Sequence, residues 1–180
     1  MHILIINHYA GSPNHGMEYR PYHFAKEWIK SGHNITIISS SFSHVRFQQP
    51  KCERSITVED IEGIQYVWLK TPEYHGNTIR RIMNMFSFAA QLYIRPIPIE
   101  KPDIVIDSST YPLTIYGANK IARKYGARLI FEVHDLWPLS PMELGGYSKY
   151  HPFIMGMQLA ENYAYKNAHR VVSLLPKAKE

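Results

Sequence analysis

The chain opens with an uninterrupted apolar run, His2-Ile-Leu-Ile-Ile6. Because its apolar residues are continuous rather than alternating, a first strand over residues 2–8 is expected to be buried on both faces. Gly11, Pro13 and Gly16 then prevent regular structure over residues 9–18. Phe24, Ala25, Trp28 and Ile29 recur at helical spacing, which predicts a helix over 19–31 closed by Gly32. A second strand follows over 34–39. Residues 42–54 lack periodicity and read as an exposed loop. The runs 55–61 and 64–69 flank Glu62-Gly63, which predicts two short strands or a hairpin extending a sheet edge. Over 78–93, Ile79, Ile82, Met83, Phe86, Ala90 and Tyr93 share one helical face, expected to pack on the core, with Met85 and Phe88 off that stripe. A strand over 103–107, a helix over 113–125 closed by Gly126, a strand from Arg128, a long loop over 138–151, a helix over 152–167 and a strand over 169–174 complete the alternation. With no internal repeat, this order predicts a single α/β domain: a doubly wound, mainly parallel sheet with helices on both faces.

Candidate chemistry falls where strands end. The run that begins at Arg128 stops at His134-Asp135 and then Pro138, so it delivers an imidazole and a carboxylate to the carboxyl edge of the sheet. In such sheets that edge faces the ligand crevice. A structural His capping the strand is the alternative. The first strand, its glycine-bearing loop and the following helix place backbone amides and a helix amino terminus at the same edge, an arrangement that attracts phosphate. Gly11 and Gly16 have P-loop spacing, but Met17 and Glu18 stand where Lys and Ser/Thr are required. The second strand ends in Ser39-Ser40-Ser41, without the acidic residue of a dinucleotide fold. Both classes are therefore disfavoured. Arg20 opposes the helix dipole in the first turn, at a cost of up to about 1 kcal/mol unless an anion or carboxylate offsets it. A surface pair with Glu18 or Glu27 is the simpler partner. Ser108-Ser109-Thr110 can orient a sugar or phosphate, or cap the next helix.

Composition narrows the partners. The 180 residues, 45% hydrophobic, suffice for one substantial core. A net charge of +5 with pI near 9.2 suits nucleotides, lipid phosphates or a membrane surface. Lys and Arg are scattered, which argues against nucleic acid. Cys52 is the one cysteine, and the ten His include no HExxH pattern, so no metal site is expected. No stretch reaches the roughly 20 apolar residues of a membrane span, and a cytoplasmic location is expected. The helix over 78–94 with Arg80, Arg81 and Arg95 also fits an anionic membrane surface.

Six segments, Ile5-Ile-Asn-His8-Tyr, Gly11-Ser-Pro, Gly16-Met-Glu-Tyr-Arg20-Pro, Gly32-His, Val133-His134-Asp135-Leu-Trp-Pro138 and Ala168-His-Arg-Val-Val-Ser, together resemble the amino-terminal half of glycosyltransferase family 4. These are retaining GT-B enzymes of bacterial surface-polysaccharide synthesis, and the likeness is greatest to the subgroup transferring amino sugars. The resemblance implies that residues 1–175 form the Rossmann-like, acceptor-side domain and 176–180 begin a linker to a donor-binding domain not contained in this sequence. It implies that Gly11, Ser12, His15, Gly16 and Arg20 approach the donor phosphates, and that His134 lies near the donor sugar. Asp135 then fixes the His134 tautomer or binds acceptor hydroxyls, Ser108, Ser109, Thr110 and Trp137 face the acceptor, and Glu132 is an orienting carboxylate or a protonated core residue. The implied substrates are a nucleoside-diphosphate sugar, expected to be a UDP-sugar, and a polyprenyl-linked or saccharide acceptor, with no bound metal or cofactor. The isolated chain is expected to be inactive. A non-catalytic membrane-recruiting or acceptor-binding subunit of a split enzyme is the alternative.

Overall fold

A computed structural model describes residues 1–76 and 78–174. The expected linker at 176–180 lies outside the described residues. Seven strands form one sheet in the order β3-β4-β2-β1-β5-β6-β7. They are β1 (His2–Ile6), β2 (Asn34–Ser40), β3 (Ile56–Ile61), β4 (Ile64–Leu69), β5 (Ile104–Ser109), β6 (Arg128–Val133) and β7 (Arg170–Ser173). All neighbours are parallel except β3, which pairs antiparallel with β4. The Glu62-Gly63 turn of that hairpin places both residues at positive φ, +53° and +83°, the requirement of a tight two-residue connection.

The right-handed crossover rule explains the layers. The step from β1 to β2 carries α1 (Arg20–Lys30) over one face; the steps to β5, β6 and β7 carry α2 (Ile79–Ile94), α3 (Ile115–Tyr125) and α5 (Pro152–Asn167) over the other. Strand parity then sorts the core. Ile3, Ile5, Ile35 and Ile37 meet Tyr22 and Ala25 of α1, while Leu4, Ile6, Val105, Leu129 and Phe131 meet Phe88, Leu92, Ala118 and Ala160 of the other helices.

Three expectations change. The α2 stripe is reversed: Asn84, Met85, Phe88 and Leu92 are buried, whereas Ile79, Met83, Phe86 and Tyr93 are exposed. The helix is apolar around most of its circumference, so periodicity defines two stripes, and burial chose the one containing Asn84. That amide donates to Thr71 Oγ1 at 2.9 Å and to the Pro72 carbonyl at 2.7 Å, bonds that an outward Asn84 would lose. Secondly, the expected loop over 138–151 contains a short helix, α4 (Leu139–Gly145), stopped by Gly146 at φ +66°. Thirdly, the loop over 42–54 is not simply exposed, since Ser43 and Arg46 are buried.

Candidate functional site

The loop after β1 folds on itself. Gly11 N–H donates to the Glu18 carbonyl at 2.8 Å, Gly16 N–H to the Ser12 carbonyl at 2.8 Å, and Glu18 N–H to the Tyr9 carbonyl at 3.0 Å. These amides were expected to await a phosphate; in the structure they close the loop. The glycines serve the same packing. A Cβ at Gly11 would lie 1.9 Å from the Gly16 carbonyl oxygen, and Gly16, at φ +106°, is covered by Phe47. Ser12 and His15 are buried, with Ser12 Oγ 2.9 Å from His15 Nδ1 and His15 Nε2 3.7 Å from Glu59.

Arg46, which sequence reasoning passed over, anchors this loop. Its guanidinium is buried over the Trp68 ring and donates to the Ala10 carbonyl at 2.6 and 3.0 Å, to the Ser40 carbonyl at 2.8 Å and to Ser39 Oγ at 2.7 Å. Burial lowers its pKa to about 10, so it remains cationic at neutral pH. A lone Arg in an aperiodic loop gives no local signal of such a role.

A polar chain links α1 to the ends of β5 and β6. Arg20 Nη2 donates to Glu132 Oε1 at 2.7 Å. Ser108 Oγ donates to Glu132 Oε2 at 2.7 Å, and His134 Nε2 lies 3.0 Å from that oxygen and 2.9 Å from Ser108 Oγ. Asn7 Nδ2 donates to Ser108 Oγ at 3.1 Å. With the Ser108 proton committed to Glu132, the network requires the His134 proton on Nε2. Burial alone would raise the Glu132 carboxyl, but hydrogen bonds from His134, Arg20 and Ser108 pull it down to about 2. Glu132 is thus an ionised orienting group, not a protonated core residue. It also offsets Arg20, in place of Glu18 or Glu27.

On the other side of the carboxyl edge lies a cavity of about 690 Å³. Tyr9, Met17 and Glu18 from the first loop, Ile79, Arg81 and Ile82 from α2, Thr110 and Tyr111 after β5, and Asp135 and Trp137 after β6 line it, with Tyr147 and Phe153 at the far wall. Trp137 Nε1 donates to the Thr110 carbonyl at 2.7 Å, which fixes the indole. Beneath, Tyr111 hydroxyl lies 2.6 Å from Nδ1 of the fully buried His8, whose pKa burial and the nearby Arg46 lower to about 3. His44 borders the same space, and its pKa is lowered by burial and by Arg81. Two carboxylates, one guanidinium and several aromatic faces suit a hydroxyl-rich ligand with apolar ring surfaces.

The expected site residues therefore divide. Asp135, Thr110 and Trp137 face the cavity; His134, Ser108 and Arg20 belong to the polar chain, of which Arg20, Ser108 and Glu132 line a separate, smaller cavity beside α1; Ser109 is buried; Gly11, Ser12, His15 and Gly16 shape the first loop. Asp135 makes no hydrogen bond to His134 among the described residues, so the tautomer partner is Glu132. Tyr9, Glu18, Tyr111 and Tyr147 were missed as lining, because the three tyrosines are spread over three loops and share no spacing, and Glu18 was read only as a partner for Arg20. Among the described residues, no three His, Cys, Asp or Glu side chains are grouped to hold a metal ion.

A family model described as Glycosyltransferase Family 4 matches residues 14–180. The chain belongs to Glycosyltransferase Family 4. Its Rossmann-like sheet is that of a GT-B domain. The catalytic domain of starch synthase IV from Arabidopsis thaliana, bound to ADP and acarbose, superposes with a TM-score of 0.52 at 16% identity, over 74% of this chain and 34% of that one. UGT89C1 from Arabidopsis thaliana, complexed with UDP, superposes with a TM-score of 0.51 at 13% identity, over 99% of this chain and 43% of that one. This family 4 chain thus spans less than half the length of either of these two structures. No curated protein sequence matches it.

Proposed function

We propose that the chain is the acceptor-side domain of a retaining glycosyltransferase, which moves a sugar from a nucleoside-diphosphate sugar, most simply a UDP-sugar, to a hydroxyl of a lipid-linked or saccharide acceptor. The observation that carries this reading is the cavity itself: loops from the carboxyl ends of β1, β5 and β6 converge on it, and Asp135 and Glu18 both face it. Asp135 and Glu18 accept hydrogen bonds from acceptor hydroxyls there, while Trp137 and Tyr147 stack on sugar rings. At the end of β6, Glu132 holds the His134 ring with its proton on Nε2, leaving Nδ1 to accept a hydrogen bond. A second domain grips the nucleotide and supplies the groups that stabilise the leaving diphosphate. The six sequence segments that resemble the bacterial enzymes support a role in lipopolysaccharide, capsule or exopolysaccharide synthesis, with an amino-sugar donor. On this reading residues 1–180 alone do not turn over a UDP-sugar, and the protein joined to its donor domain does. Turnover by the 180 residues alone would contradict it.

The exposed face of α2 favours a second feature, recruitment to the cytoplasmic side of a membrane. Ile79, Met83, Phe86, Tyr93 and Ile94 are each about half exposed or more, α2 carries no acidic residue, and Arg80 and Arg95 flank the stripe. No helix among the described residues is long and apolar enough to cross a membrane, so contact would be peripheral. Co-sedimentation with vesicles containing anionic lipid at low salt tests this, and absence of pelleting contradicts it.

A further inference from the structure

α2 uses two apolar faces for two purposes. Met85, Phe88 and Leu92 enter the core; on the opposite side a groove of about 330 Å³ runs between α2 and the start of α3. Its lining is Phe86, Ala89, Ala90, Tyr93, Leu113 and Tyr116, with no charged side chain. The groove exists because small residues lie between aromatic ones: Ala89 and Ala90 leave the space, while Phe86, Tyr93 and Tyr116 wall it. Gly117 adds to it by letting the helices approach. A Cβ at that position would lie 2.6 Å from Leu92 Cβ and 3.0 Å from the Leu92 backbone.

The groove is not isolated. Ile79 and Ile82 line the large cavity, and the same helix face continues through Met83 and Phe86 to Ala90 and Tyr93. At 1.5 Å per residue, the 79–93 path extends about 21 Å from the polar cavity to the end of the groove. A continuous exposed apolar path of this length on a soluble domain marks an interaction site. Its charge identifies the occupant. Exposed Arg80 and Arg95 stand at its two ends, exposed Lys120 and Lys124 lie beside its far end, and α2 has no carboxylate. An anionic amphiphile matches this surface: polar head in the cavity, phosphate beside Arg80 where the apolar path begins, tail on the path toward Tyr93, with no carboxylate of α2 to repel it.

We propose that the groove between α2 and α3 holds the hydrocarbon chain of a lipid-linked acceptor whose saccharide head occupies the cavity. The proposal rests on the acceptor-side reading and commits it to one acceptor class. The chain selects its acceptor partly by tail, and a free saccharide is a poorer substrate than the same saccharide on a long alkyl or isoprenoid phosphate.

The test uses n-alkyl phosphates of eight, ten and twelve carbons, each below its critical micelle concentration, with inorganic phosphate as the tail-free control. Binding is followed by heat and by NMR shifts of the Ala89 and Ala90 methyls. Affinity is expected to rise by up to about fourfold per methylene until the groove is filled. Ala90→Trp, which fills the groove from the solvent side, flattens the series. Phe86→Ser, which removes a wall without adding bulk, lowers its slope and guards against misfolding in the first variant; thermal melting reports the fold of each. Equal affinity at all three lengths, or a slope untouched by Ala90→Trp, overturns the proposal. A flat series in a protein that still transfers sugar rejects the groove alone, whereas a normal series without transfer in the protein joined to its donor domain rejects the acceptor-side reading.

Discussion

Glu132 Oε2 lies 3.0 Å from His134 Nε2, two residues apart on one face of β6 and the turn that follows. Strand parity alone puts both side chains on the same side, and Ser108 on the neighbouring strand, which pairs in register with Glu132, closes the triangle. The carboxylate is held ionised by donors that only the folded chain assembles.

That relationship fixes a pH dependence. A carboxyl depressed to about 2 contributes stability that is present above its unfolded range, near 4.3, and is lost as pH falls through about 2. Glu132→Gln is expected to cost about 1–3 kcal/mol at pH 7, with the difference from the parent already smaller at pH 3, inside the window between the unfolded value near 4.3 and the folded value of about 2. Urea denaturation at pH 7 and pH 3 measures it. A pH-independent difference would mean that Glu132 acts by packing alone.

Asp107 gives the opposite sign. It is fully buried on the face occupied by α3, neither carboxylate oxygen has a hydrogen-bond partner within normal distance, and burial, opposed only by Thr114, pushes its pKa up to about 7. The stability of the protonated form is fully present below the unfolded range and is lost as pH rises through about 7. Asp107→Asn should therefore stabilise the protein by about 1–4 kcal/mol at pH 8 and by little at pH 4. Denaturant midpoints at the two pH values decide the matter.

Arg46→Lys tests the anchor of the first loop. A point-charge ammonium cannot reach the Ala10 and Ser40 carbonyls and Ser39 Oγ at once. A loss of about 2–3 kcal/mol is expected, with faster amide exchange at Gly11, Gly16 and Glu18. Unchanged exchange would show that the loop holds itself.

Gly117→Ala tests the close approach of α2 and α3. The added methyl must displace Leu92 or its backbone, and a cost of about 1–3 kcal/mol is expected despite the better helix propensity of Ala. Thermal melting is sufficient to see it.

The architecture was legible because parallel strands buried on both faces read as continuous apolar runs, as residues 3–6 of β1 and the shorter run 129–131 of β6 do. The hairpin was legible from Glu62-Gly63 between two strand patterns. α2 was not: with apolar residues around most of the helix, periodicity could not say which stripe faces inward, and the inward stripe includes the polar Asn84, held by its bonds to Thr71 and Pro72. The site was half legible. His134 and Asp135 were placed at the correct sheet edge by strand length, yet adjacent residues alternate in direction, so one joins Glu132 and the other the cavity. Loop glycines signalled a special backbone but not its purpose, because a tight turn and an anion cradle use the same residue.

The most direct test of the central claim separates the two substrates. In the protein joined to its donor domain, Asp135→Asn removes a charged acceptor from the cavity wall without breaking a hydrogen bond among the described residues. The Michaelis constant for the acceptor is expected to rise about 10- to 100-fold while that for the nucleotide-sugar stays unchanged. A raised nucleotide-sugar constant with the acceptor constant unmoved would place the donor, not the acceptor, in this cavity and contradict the account.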